Sequence, residues 1–170
     1  MKDDRTGKRR CGGAPGTEDS PERPFWETTP LERMTRAQWE SLCDGCGKCC
    51  LHKLEDIDTG EIFLTNVACR LLDHNRMRCR KYSERKRWVP DCTILTPERI
   101  AEFRWLPESC AYRRLHEGRG LADWHPLVSG DPMSVHRAGI SMRRKVIDER
   151  KAGPLEDHII SDPSPDGHKS

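Results

Sequence analysis

Cys43, Cys46, Cys49 and Cys50 stand within the stretch LCDGCGKCCLHK, and the chain carries nine cysteines in all. Two residues between cysteines let both sulfurs turn toward a common centre, and Gly45 and Gly47 ease the tight backbone that this requires. Three thiols at this repeat match the first three ligands of a bacterial ferredoxin run, although the Cys-Pro that normally completes it is replaced by Cys50. Neighbouring side chains of an extended chain point to opposite sides. On that basis Cys49 and Cys50 are expected to serve two centres, or one to bind metal while the other supports it. Cys69, Cys79, Cys92 and Cys110 stand singly. With the first group they make two sets of four, which suits two tetrahedral ions or two cubane clusters, and equally one cluster with structural thiols beside it. Zinc usually takes two local pairs, which favours an iron–sulfur cluster. Zinc remains open, with His52 or His74 able to replace a sulfur. For Cys92 and Cys110 the plain alternative is a small buried apolar side chain.

Composition explains why such staples matter. Leu, Ile, Val and Phe number 29 of 170 residues, about 17%, below the roughly 20% at which a chain is poor in core material. The net charge is only +2, so the companion sign of disorder is missing. The N-terminus MKDDRTGKRRCGG lacks the apolar run of a signal peptide. No stretch approaches the roughly 18 apolar residues of a membrane span. These features predict a cytoplasmic chain with reduced thiols, and the odd cysteine count argues against a full disulfide framework.

The elements that must position the thiols are short. Residues 1–24, with Cys11, and residues 152–170 read as disordered tails around one domain at 25–151. Thr29-Pro30-Leu31-Glu32 and Thr35-Arg36-Ala37-Gln38 offer two helix starts, one of which carries Trp39 and Leu42 inward and delivers the chain to Cys43. Thr96-Pro97 opens another helix through Ile100 and Phe103. A further short helix holds Cys110 and Leu115 and stops at Gly118. Glu61 to Val67 alternates as a strand after a turn at Asp58-Thr59-Gly60. A three-residue loop at Asp73-His74-Asn75 then sets Leu72 opposite Arg76 and Cys69 opposite Cys79, close enough to share one metal. The expected architecture is α+β: a small, irregular, metal-stapled domain of short helices and β-hairpins with disordered termini.

CDGCGKCC, followed by KLEDIDTGEIFLTNVACRLLD, MRCRKY, VPDC and WHPLVSGDPMSVHRAGIS, resembles the YcgN-type bacterial proteins. These lie within the wider CxxCxxCC cysteine-cluster group, described as zinc- or iron-chelating. The resemblance spans about Phe25 to Arg144. It implies metal chelation through Cys43, Cys46, Cys49 and Cys50 and extends to the later cysteines. It implies no reaction.

Three other features compete for a role. Arg76 to Trp88 has seven basic residues against one acid, with Tyr82 and Trp88 among them. That is a nucleic-acid contact or, in the reading preferred, a charged hairpin edge kept soluble. Asp56, Asp58 and Glu61 resemble a calcium loop but place Gly60 and Glu61 wrongly, so they form a turn. His125, Ser129, Asp131, Ser134 and His136 are the residues of a metal-dependent enzyme, if the chain is one. The leading expectation is a metal-binding protein with one or two iron–sulfur or zinc centres. A zinc-stapled module that binds protein or nucleic acid is the alternative.

Overall fold

The computed structural model describes residues 23–162. The first helix, α1 (Phe25–Thr28), is one turn. The Thr29-Pro30 start gives only a 3-10 turn, Leu31–Arg33, without a side-chain cap. The second start succeeds. Thr35 and Gln38 form a reciprocal capping box on α2 (Arg36–Ser41), with Gln38 N–H donating to the Thr35 hydroxyl at 3.2 Å and Thr35 N–H to Gln38 Oε1 at 2.9 Å. The helix buries Trp39, and Leu42 follows it into the interior. Because this cap fixes where the chain enters the thiol loop, Thr35→Ala is expected to cost about 1 kcal/mol, read as a lower urea midpoint at unchanged slope.

After a 3-10 turn at Lys48–Cys50 the chain runs into β1 (Leu51–Glu55), turns at Asp56, and returns as β2 (Ile62–Ala68), antiparallel to β1. Asp56 Oδ1 accepts from the Asp58 and Thr59 N–H groups, so this acidic stretch is a turn, as expected. A separate hairpin joins β3 (Leu72–Asp73) to β4 (Arg78–Cys79). Its register differs from the expected one: Leu72 faces Cys79, and Cys69 does not. The cause is Asp73, whose Oδ1 accepts from the N–H groups of Asn75 and Arg76 while its carbonyl accepts from Met77 N–H at 2.7 Å. That local turn lengthens the loop and puts Met77 at φ 52°.

A 3-10 turn (Tyr82–Glu84) and α3 (Arg85–Trp88) follow, then a 3-10 helix at Pro97–Glu102 that buries Ile100. Next come α4 (Ala111–His116), capped at Gly118, and the one-turn helices α5 (Pro126–Ser129) and α6 (Ser134–Arg137). Finally β5 (Ile147–Asp148) adds parallel to β2, and β6 (Ile159–Ile160) adds antiparallel to it after a 3-10 turn at Leu155–His158. Residues 152–162, read above as part of the C-terminal tail, are among the described residues. Their backbone pairs with β2, and Asp162 reaches the fully buried Lys48 ammonium at 2.6 Å. The rest of the two expected tails, Cys11 included, lies outside the described residues. No helix among the described residues is long and apolar enough to cross a membrane.

The architecture is α+β, with two main apolar clusters rather than one. Trp39, Leu42, Ile100, Phe103, Leu106 and Tyr112 form the first. Leu51, Ala68, Leu72, Met77 and Met142 form the second. The thiol loop runs between them.

Candidate metal centre

All eight cysteines expected to bind metal line one cavity of about 840 Å³. Cys43, Cys46, Cys49 and Cys50 come from the loop after α2, Cys69 from the end of β2, and Cys79 from β4. Cys92 comes from the segment after α3, and Cys110 from the N-cap of α4. Leu42, Leu106 and Tyr112 from the first apolar cluster and Leu51, Leu72 and Met77 from the second complete much of the wall. The eight thiols thus share the wall of one open cleft.

Gly45 and Gly47 shape the loop at φ 76° and 82°. A Cβ on Gly47 would fall 2.0 Å from Met77 Cε, the end of a flexible side chain. Gly47→Ala is expected to lose about 1–2 kcal/mol from the left-handed backbone alone. Adding Met77→Ala relieves the contact but deletes a buried side chain worth about 2–5 kcal/mol, so chemical denaturation of the double variant should recover no native stability.

The structure overturns one expectation about neighbours. Cys49 and Cys50 do not point apart: their Sγ atoms are 3.9 Å from one another. The chain there is a 3-10 turn, Lys48–Cys50, and the alternation of an extended strand does not apply. The remaining thiols are spread round the wall. Among the described residues, no three His, Cys, Asp or Glu side chains converge as a ready-made ion cage.

Burial is the leading influence on five of these thiols. It raises Cys43 to about 11 and Cys110 to about 12, and it raises Cys46, Cys69 and Cys92 as well. The Cys49 thiol is raised first by its hydrogen bond to Cys50 and then by burial. Without a cation in the cavity these groups hold their protons; a bound metal displaces them.

Charged side chains that the cysteine spacing did not reveal also face this space. Asp44 Oδ1 accepts from Cys46 N–H at 2.9 Å, while its buried Oδ2 has no partner among the described residues. A buried, half-satisfied carboxylate beside a thiol-lined cavity calls for a cationic occupant. Lys53 donates to the carbonyls of Lys48 and Leu51 at 2.9 and 2.7 Å and sits 4.6 Å from the Trp105 ring centroid. Burial lowers its pKa, and the neighbouring Cys49 and Cys50 oppose that change. Arg78 and Arg85 also line the wall. The one signal for Lys53 in the sequence was its place at the end of LCDGCGKCCLHK.

The other expected site residues are placed as follows. His52 lines the cavity, but its Nε2 lies 2.6 Å from Glu149, an ion-pair partner on the far side of β2. His74 is not on the cavity wall, and its carbonyl accepts from Arg144 N–H. Both ring nitrogens of His125 are engaged by backbone: Nε2 lies 3.0 Å from the Leu42 carbonyl, and Nδ1 accepts from Leu127 N–H. Ser129 and Ser134 bond to each other and to nearby backbone, and Asp131 pairs with Arg137. This segment braces the thiol loop through Leu42. In the basic stretch, the Tyr82 hydroxyl donates to Glu40 at 2.6 Å, and the Arg85 guanidinium stacks 4.0 Å from the Tyr82 ring centroid. Tyr82 is thereby held within the domain's own contacts.

Residues 42–111 match the model of a family described as "Putative zinc- or iron-chelating domain", CxxCxxCC. That span runs from the start of the thiol loop to the N-terminus of α4 and includes every cavity cysteine. The chain is 60% identical over 139 residues to a UPF0260 protein of Rhizorhabdus wittichii, covering 82% of this chain and 95% of the relative. It is 61% identical over 140 residues to one from Granulibacter bethesdensis, covering 82% and 84%. A relative from Shewanella frigidimarina is 58% identical over 136 residues, covering 80% and 92%. No solved structure matches.

Proposed function

The chain belongs to the UPF0260 family, and from that premise we propose that it is an iron–sulfur protein whose cluster is held by thiols of the central cavity. The single observation that carries this reading is the convergence of eight cysteines from five parts of the chain on one hollow. Cluster thiolates sit around a multi-atom core, so they stand farther apart than four ligands on one ion. Thiols spread over the wall of an 840 Å³ cavity suit such a core. Cys43, Cys46 and Cys49 supply the local ligands, and Cys110, Cys79 or Cys69 the remote ones. When bound, the cluster supplies one-electron chemistry and a structural cross-link.

The chain's own residues then have defined tasks. Gly45 and Gly47 turn the loop so that its thiols face inward. Lys53, Arg78 and Arg85 offset the negative charge of thiolates in a low-dielectric setting. His125 anchors the loop's entry at Leu42. Reduced thiols require a reducing compartment, which fits the cytoplasm.

The 3.9 Å separation of Cys49 and Cys50 supports a second reading, because it matches two thiolates on one tetrahedral ion with Zn–S bonds of about 2.3 Å. A zinc staple built there would leave function to the surface. Alkylation of the native protein, purified without oxygen, followed by mass mapping tests the cavity assignment. A cluster in the cavity protects its ligand thiols, Cys43, Cys46 and Cys49 among them, until metal is removed. Uniform labelling of all eight before removal excludes both readings.

A further inference from the structure

Away from the thiols, a second cleft of about 190 Å³ is lined by His136, Ser141, Arg143, Arg144 and Lys145. Two buried polar atoms here lack any partner among the described residues: Arg143 Nε and His136 Nδ1. An arginine Nε–H can only donate. Leaving it buried without an acceptor costs about the desolvation penalty of a charged group. No ion pair among the described residues ties Arg143, Arg144 or Lys145 to a carboxylate, whereas the neighbouring Arg137 and Arg150 are paired with Asp131 and Asp148. The three consecutive basic residues of this wall thus stay uncompensated, beside a donor with nothing to donate to.

The rest of the wall is built for the same kind of guest. The Ser141 hydroxyl oxygen accepts from Arg143 N–H at 3.1 Å, which leaves its proton to give. Arg144 holds φ 61°, with its N–H on the His74 carbonyl at 3.2 Å. Burial, and then Arg143, lower the His136 pKa against a smaller opposing pull from Asp44, so the ring is neutral at neutral pH and carries one N–H. The cleft has room for a single tetrahedral oxyanion.

We propose that this cleft binds a phosphate-type oxyanion, with Arg143 Nε–H and His136 Nδ1–H as the buried donors and Ser141, Arg144 and Lys145 completing the shell. The guest is either the free ion or the phosphoryl group of a small monoester, since Arg144 and Lys145 are exposed. Met142 N–H donates to the Cys46 carbonyl at 2.9 Å, so the cleft's backbone is tied directly to the thiol loop. The inference does not depend on which metal, if any, that loop holds.

The test is calorimetric titration of the full chain, as purified and at low salt, with inorganic phosphate and separately with glycerol phosphate. Saturable binding of inorganic phosphate is expected, weakened at least about tenfold in Arg143→Gln and unchanged in Arg137→Gln, whose guanidinium pairs with Asp131. Should Arg143→Gln fail to fold, Arg144→Gly combined with Lys145→Gln keeps the test alive. Glycine relieves the positive φ, and both side chains are exposed. That variant is expected to weaken binding as well. Equal or tighter binding of the monoester identifies a phosphoryl group on a larger molecule, and its exclusion identifies the free ion. Absence of saturable binding at millimolar phosphate, or binding that every cleft variant leaves intact, overturns the proposal.

Discussion

Stripping metal from the reduced protein is expected to abolish its cooperative melting transition instead of leaving a folded apo form. Residues of both main apolar clusters line the 840 Å³ cavity that the eight cysteines share. A metal held by thiols from several of these segments would cross-link the two clusters. A structural metal contributes roughly 10–16 kcal/mol in small zinc peptides, comparable with the whole net stability of ~5–15 kcal/mol expected for a domain. Chelator-treated protein should therefore lose its far-UV circular dichroism and its melting step together. An unchanged spectrum and midpoint would mean that the apolar clusters suffice, and that metal, if bound, is a passenger.

The second large effect is expected at Cys46. Its side chain is buried and packs with Val135 and Ile140, so two accounts of it are possible in principle. If Cys46 served only as a small apolar residue, Cys46→Ala would cost about 1 kcal/mol and leave metal content intact. As a ligand, it cannot be replaced by Ala or Ser without loss of the centre, and the melting midpoint should fall toward that of stripped protein. Metal per chain, measured on both variants next to the parent, separates the accounts. Full metal content in Cys46→Ala would remove Cys46 from the ligand set.

The thiol loop itself was legible because its information is local. Glycine spacing, the Thr35 capping box and the Cys-x-x-Cys repeat all act within a few residues, and the structure keeps each of them. Cys69, Cys79, Cys92 and Cys110 line the same cavity as that loop, although among the described residues no three of the side chains converge on one point. Two local details escaped. The neighbours Cys49 and Cys50 were assigned strand geometry where the chain makes a 3-10 turn. The hairpin lost its expected register because Asp73 closes an extra turn with its own side chain.

Long-range pairing was beyond reach. Nothing in ten consecutive residues says that Ile159 will sit beside Thr65, or that Asp162 will meet a lysine buried between Gly47 and Cys49. A charged residue in a polar C-terminal stretch reads as solvated until its partner is seen. The cleft at His136 and Arg143 was hidden for the same reason, since an unpaired donor becomes visible only once every neighbour is placed.

The most direct test is to purify the protein without oxygen and measure iron, zinc and acid-labile sulfide per chain, with an absorption spectrum of the same sample. A brown protein carrying iron and sulfide in near-equal amounts, and losing both with its fold on chelation, is the predicted result. Colourless protein with stoichiometric zinc, or with neither metal, would contradict it.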